Sequence, residues 1–215
     1  MKLLTLLTIL LISIINVNGQ EIGKIVPVKP PETFPPNALG GDIVFTEGGF
    51  GLGGFYRHSY STDITLIGTF SISEFKDDNE FTYVDPYTLQ TFTYGKINRV
   101  FLIPFTVGLQ FRMFSEKLSD NLRPFVEFGV GPTFILTTPY DKEFIKAFGS
   151  AHNNLAAGGY IGIGANFGTN KSSLVGLNLR YYYSHLLKGE VESIVNQPRN
   201  NFGGIFISLS IGAMY

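Results

Sequence analysis

Two short patterns in this 215-residue chain carry residue types that do chemistry. Ser184-His185 sets a hydroxyl beside an imidazole, the beginning of a nucleophile–base pair for acyl hydrolysis. Gly49-x-Gly51-x-x-Gly54 has the spacing of a loop that cradles a dinucleotide phosphate. Each pattern needs a particular local structure. A nucleotide loop must pass from a strand into a helix, with an acid about twenty residues on; here no helical period follows Gly54, and the glycines read as small residues that let strands pack closely. A Ser-His pair must share a proton, but adjacent residues of a strand point to opposite faces. His58, His152 and His185 lie far apart and make no metal spacing such as i, i+4 on one helix. With no cysteine, disulfides and thiolate chemistry are also excluded. No catalytic residue, metal ligand or cofactor is therefore expected.

The elements that would position such residues are strands. From about residue 40 the chain alternates with period two. In 99–114 the odd positions Phe101, Ile103, Phe105, Val107, Leu109, Phe111 and Met113 form an apolar face, opposite Thr106, Gly108, Gln110 and Arg112. In 122–136 an apolar face that includes Val126, Phe128 and Val130 opposes Arg123, Glu127, Gly129 and Thr133. The same division recurs at 63–73, 160–167, 173–185 and 204–213. Gly49–Gly54 and its flanks supply a further hairpin, Leu39–Thr46 and Phe50–Arg57 around Glu47-Gly48-Gly49; a single strand over 42–57 is the alternative.

Alternation alone does not say which face is outside. Two features do. Charges keep to the polar face, as they must if the other meets lipid, where Arg or Lys costs about 2–4 kcal/mol at the midplane. Connections also alternate in length: His58–Ser61, Ser115–Asn121 and Thr169–Ser172 are short, whereas Lys76–Asn98, Thr138–Asn154 and Leu187–Asn200 are long and polar. Only helices and closed barrels satisfy the backbone in hydrocarbon, and past residue 19 no stretch suits a membrane helix. The fold class expected is all-β, an eight-stranded antiparallel transmembrane up-and-down β-barrel over 39–215. An even count puts both termini on one side.

Composition agrees. Charged residues are only 15%, and the net charge of −1 leaves no clustered basic face for nucleic acid. Residues 1–19 read as a signal peptide: Lys2, an apolar run Leu3–Val17, then short residues up to Gly19. Residues 20–38, with Pro27, Pro30, Pro31, Pro35 and Pro36, read as a flexible Pro-rich leader.

Asp63, Arg112, Glu127 and Arg180 are the polar-face charges expected inside the barrel. Eight strands leave an interior just wide enough to fill with side chains. Charges there must pair, so Arg112, Glu127 and Arg180 are expected to form a network across the lumen, as a structural plug or a gate for small ions. Tyr160 and Tyr181–Tyr183 are candidates for an interfacial girdle. Phe81, Tyr83, Tyr87, Phe92 and Tyr94 make the longest outer loop rich in aromatics, suited to binding or to packing over the barrel mouth.

The last residues, Ile205 to Tyr215, set apolar residues at every second position before a terminal aromatic. They look like the C-terminal assembly signal of outer-membrane barrels, with Tyr215 as its key residue. With Arg123-Pro-Phe-Val-Glu-Phe-Gly-Val-Gly-Pro132 and Asn178-Leu-Arg-Tyr-Tyr-Tyr183, the chain resembles the small outer-membrane β-barrel family that includes OmpA- and OmpX-like domains. That resemblance implies secretion and insertion into the outer membrane of a Gram-negative cell. The partners it implies are outer-membrane lipid, the barrel-assembly machinery and an extracellular ligand met through the loops, with the barrel a monomer. With no peptidoglycan-binding domain after Tyr215, wall anchoring is not expected. A lipid A deacylase-like enzyme built on Ser184-His185, a narrow pore and a soluble lipocalin-like carrier are the alternatives.

Overall fold

The computed structural model describes residues 33–215, apart from residues 88, 90, 119, 120 and 169 and the side chains of 91 and 92. The expected signal peptide and most of the expected leader lie outside the described residues.

Each alternating stretch forms one long strand. They are β1 (Asn37–Thr46), β2 (Gly49–Ser59), β3 (Ile64–Phe75) and β4 (Asn98–Arg112). The remaining four are β5 (Leu122–Pro139), β6 (His152–Phe167), β7 (Ser173–Leu186) and β8 (Asn201–Met214). Even the shortest, β1 with 10 residues, matches the ~9–11 that a tilted strand needs to cross a bilayer. Every strand pairs antiparallel with its sequence neighbours, and β1 pairs with β8 from Ala38↔Met214 to Phe45↔Ile207. The barrel is closed, so no edge is left with unpaired amides.

The count of eight holds because 39–57 is a hairpin, with pairing from Asn37↔His58 to Thr46↔Gly49. The single strand over 42–57 is excluded. Gly49 has φ +131°, a conformation a side chain resists, which lets the chain reverse within Glu47-Gly48. No helix follows Gly54, whose neighbours Gly51 and Gly53 pair within the sheet.

One end of the barrel, the turn end, carries residues 60–63, 113–121 and 168–172. The other, the loop end, carries 76–97, 140–151 and 187–200 as well as the tight 47–48 turn. Two loops there hold short ladders of their own, Thr82–Val84 with Thr91–Thr93 and Val191–Glu192 with Pro198–Arg199. In the third, the helical turn α1 (Phe144–Ala147) packs Phe144 and Phe148 on Phe101 at the barrel wall.

The outside is a greasy belt. Val130, Ile161 and Ile163 are more than half exposed at mid-strand, joined by Leu177, Phe128 and Ile207. Of the Asp, Glu, Lys and Arg residues on the eight strands, parity turns only Glu74 and Arg99 outward, and both sit within two residues of the loop end. A water-soluble barrel would reverse this arrangement, with apolar groups inside and charges out. The belt is the surface of a membrane barrel. Tyr181 and Tyr183 join it near the loop end, whereas Tyr160 and Tyr182 point inward and are buried. The expected girdle is thus two tyrosines smaller, because parity divides the run.

Candidate functional site

The lumen is filled in layers. Midway along it, Glu127 of β5 and Arg180 of β7 form an ion pair, with Nε donating to Oε1 at 2.5 Å and Nη2 to Oε2 at 3.3 Å. Glu127 is 0% and Arg180 4% exposed. The two strands are not neighbours. The register runs Glu127↔Gly162↔Arg180 across β6, and Gly162 lacks a side chain to block the arginine's path. A Cβ at Gly162 would stand 2.9 Å from Arg180 Cγ and 2.8 Å from Leu179 O. Gln110 Nε2 reaches Glu127 at 3.5 Å, and the Tyr160 ring lies 5.0 Å from the Arg180 guanidinium.

Beside this pair a polar chain crosses β7, β8 and β1. Asn178 donates to Ser208 at 3.1 Å and to Ser210 at 2.8 Å, and Ser210 donates to Asp42. Thr69 and Thr106 bond across β3 and β4 at 2.7 Å. Toward the loop end the filling turns apolar, with Val44, Phe75, Val100, Leu102, Ile135 and Phe202 buried together.

The loop end is then capped. Loops 76–97 and 187–200 are stitched by Ile97 N to Ser193 O at 2.8 Å, Val195 N to Gly95 O at 2.9 Å and a bridge between Lys96 and Ile194. Beneath the stitches, buried Lys96 pairs with Glu80 at 2.9 Å, Ser193 donates to Glu80 at 2.8 Å, and Arg199 pairs with Asp77 at 2.7 Å. These groups were absent from the sequence-based candidates, since only loop folding brings 77–96 against 193–199.

The expected lumen network is therefore half present. Glu127 and Arg180 pair as anticipated. Arg112 sits lower, on the wall of a cavity at the turn end, and its backbone amide bonds Asp63 O at 2.8 Å. Asp63 is no part of the lumen: it lies one residue before β3 in an exposed turn, where strand parity no longer aims it inward. The residues that join the interior instead are Asp42, Arg57, Gln110 and Tyr160. Strand phase was the signal that could have found them, since Arg57, for one, shares the inward parity of Gly51, Gly53 and Phe55 on β2.

Among the outer-loop candidates, Phe81, Tyr83, Tyr87 and Tyr94 are all more than 60% exposed. The loop as a whole covers the mouth while these aromatics face outward. The side chain of Phe92 lies outside the described residues. Tyr215 accepts at its carbonyl from Asn37 N at 3.1 Å and donates from its amide to Asn37 O at 2.9 Å, closing the β1–β8 seam at the turn end. Ser184 and His185 face opposite ways: Ser184 Oγ is buried 3.0 Å from Thr133 Oγ1, and His185 points out to Asn201 Oδ1 at 2.7 Å. They cannot act together as nucleophile and base.

No protein-family profile matches the sequence, and no curated protein resembles it at the sequence level. Solved structures resemble its shape. Neisserial surface protein A aligns over 86% of this chain and 100% of its own, with 10% identity and a TM-score of 0.48. The N-terminal β-barrel domain of Pseudomonas aeruginosa OprF covers 85% and 100% at 11% identity and a TM-score of 0.45. Ail, the attachment invasion locus protein of Yersinia pestis, covers 83% and 96% at 12% identity and a TM-score of 0.42. The fold assignment stands on the chain's own closed ladder and inverted polarity.

Proposed function

We propose that this chain, a small outer-membrane β-barrel of the OmpA/OmpX-like kind, is a non-enzymatic surface protein whose filled lumen is a structural plug and whose capped outer loops meet an extracellular ligand. The observation that carries this function is the cap. Loops 76–97 and 187–200 seal one end by ion pairs and backbone bonds while Phe81, Tyr83, Tyr87 and Tyr94 stay exposed above it. Exposed aromatics cost solvation on a free loop and are enriched where partners bind. The alternation of short turns with long loops supports an orientation with the cap outside the cell.

Support for a plug rather than an ion pore comes from the apolar layer around Val100, Leu102, Ile135 and Phe202, whose buried hydrocarbon fills the lumen and offers little to replace an ion's water. Support for a non-enzymatic role comes from Ser184 and His185 facing away from each other. Chymotrypsin treatment of intact cells tests the placement: cleavage is expected among Phe81, Tyr83, Tyr87 and Tyr94 without permeabilisation. Cleavage only after the outer membrane is opened would reverse the orientation. Planar-bilayer recordings of the purified barrel should show no unitary conductance. Lipid A from cells with and without the protein should have the same acylation by mass spectrometry, and a changed acyl count would restore the enzyme alternative.

A further inference from the structure

Phe101 of β4 has outward parity, in line with Ile103 and Phe105 of the lipid-facing belt, yet it is only 7% exposed. A segment lying on the outside of the wall covers it. Loop 140–151 folds down over β4, and the rings of Phe144 and Phe148 rest 6.1 and 5.7 Å from that of Phe101. Ala147, between them, is fully buried. The other two long loops are stitched to each other over the mouth, and this one lies at the flank.

The part of the segment that the wall leaves uncovered is apolar. Ile145 is 85%, Phe144 54% and Phe148 39% exposed. Phe105 and Phe134, edge to face at 5.7 Å, carry the greasy belt along β4 and β5 toward Phe101, so the apolar surface runs on from the belt onto the turn. The polar groups are paired locally. Lys146 pairs with Glu143 at 2.9 Å, and Lys142 donates to Ser150 Oγ at 2.7 Å. Arg99 donates to the carbonyls of Pro139 and Lys142 at 3.1 and 3.2 Å, with its guanidinium 4.7 Å from the centre of the Tyr140 ring.

Two strand charges indicate the depth. Glu74 is the register partner of Phe101, and Arg99 stands two residues before it on β4. Outward charges cost little near the interface and much at the midplane, which sets Phe101 and the turn upon it at the headgroup boundary.

We infer that loop 140–151 is a lipid foot: Phe144, Ile145 and Phe148 enter the leaflet at the loop end, among the upper acyl chains, while the Lys146–Glu143 pair stays with the headgroups. Interfacial segments bind a bilayer in this way, with aromatic and aliphatic side chains at the boundary of headgroups and acyl chains and charged ones above it. Three large apolar residues exposed together in water would be an unused docking patch, and the belt that continues into this one is already the surface that meets lipid. The foot shares no residue with the aromatic surface of loop 76–97, and either proposal can fail without the other.

The chain has no tryptophan, so a single introduced one reports its own surroundings. The test is the fluorescence of full-chain Ile145→Trp in vesicles of phosphatidylcholine, plain or brominated near the top of the acyl chains. Phe105→Trp serves as the reference in the belt and Tyr87→Trp as the reference in water. Ile145→Trp is expected to emit to the blue of Tyr87→Trp and to be quenched about twofold or more by the brominated lipid, as Phe105→Trp is. The heat-modifiable gel shift confirms folding, and Phe148→Trp is the second variant if Ile145→Trp does not fold. Red emission that bromine leaves unquenched, as for Tyr87→Trp, overturns the foot. Blue emission without bromine quenching also overturns it, because a protein surface, such as a second copy of this chain, would then cover the segment.

Discussion

Replacing Glu127 by alanine leaves Arg180 as a buried cation stripped of both its carboxylate bonds. Glu127 is fully buried and Arg180 nearly so, with contacts of 2.5 and 3.3 Å between them. Two unit charges about 4 Å apart attract by about 4 kcal/mol at an effective dielectric of 20. Removing one partner of a buried pair costs about 3–5 kcal/mol, because the survivor keeps its desolvation penalty. What remains near Arg180 is the Tyr160 ring at 5.0 Å, whose attraction for a desolvated cation is worth about 2 kcal/mol and is already present in the wild type. Glu127→Ala should therefore destabilise the barrel by about 3–5 kcal/mol. The double variant Glu127→Leu/Arg180→Met removes both charges, keeps comparable volume, and should recover most of that loss, since an apolar replacement of a buried pair is often neutral or better. The assay is reversible urea unfolding in phosphatidylcholine vesicles, followed by the heat-modifiable gel shift, on wild type, Glu127→Ala, the two singles Glu127→Leu and Arg180→Met, and the double. A coupling energy below about 0.5 kcal/mol, the error expected of independent sites, would refute the pair as a cross-lumen strut.

Gly162→Val should disturb the same strut from β6, because its Cβ would meet Leu179 O at 2.8 Å and Arg180 Cγ at 2.9 Å. The expected loss is about 1–3 kcal/mol by overpacking, measured by the same urea titration, and it should be smaller in an Arg180→Ala background. Ile161→Arg puts a charge in the middle of the apolar belt and should cost about 2–4 kcal/mol, against a far smaller effect for Ile161→Gln; equal losses would argue that Ile161 does not face lipid. Glu80→Ala should leave Lys96 beneath the cap with its second, longer ion pair to Glu74 at 3.4 Å, speeding amide hydrogen exchange at residues 94–97 and 193–195 with little change in the strands. Glu127→Ala, although destabilised, should still record no unitary conductance, since Val100, Leu102 and Ile135 close the lumen above it.

The strands, their number and the identity of each face were legible because side-chain direction in a strand has period two. Once Phe101–Phe111 are placed outward, parity sends Thr106, Gln110 and Arg112 inward with no knowledge of partners. The hairpin at 39–57 was legible for a related reason: Glu47-Gly48-Gly49 interrupts the alternation with residues that permit a reversal. The loop asymmetry was likewise visible, since it depends only on counting residues between strands.

Height along the barrel was not legible. Parity says that Asp42, Arg57, Arg112, Glu127 and Arg180 all face the lumen, but which of them meet depends on the stagger between strands that are not adjacent in the ladder. Glu127 meets Arg180 because the register through Gly162 levels them, while Arg112 ends one turn-end layer lower beside Arg57 and Arg123. Asp63 dropped out because the strand began one residue after it. The cap depended on loop closure over about a hundred residues of chain, which no local pattern encodes. The sequence by itself determined a membrane barrel of eight strands and the sign of each face, since those follow from a local period and from the cost of charge in lipid. Only the tertiary structure decided which charges pair and where the lumen stays open, because those follow from register, and register is a property of the closed ring.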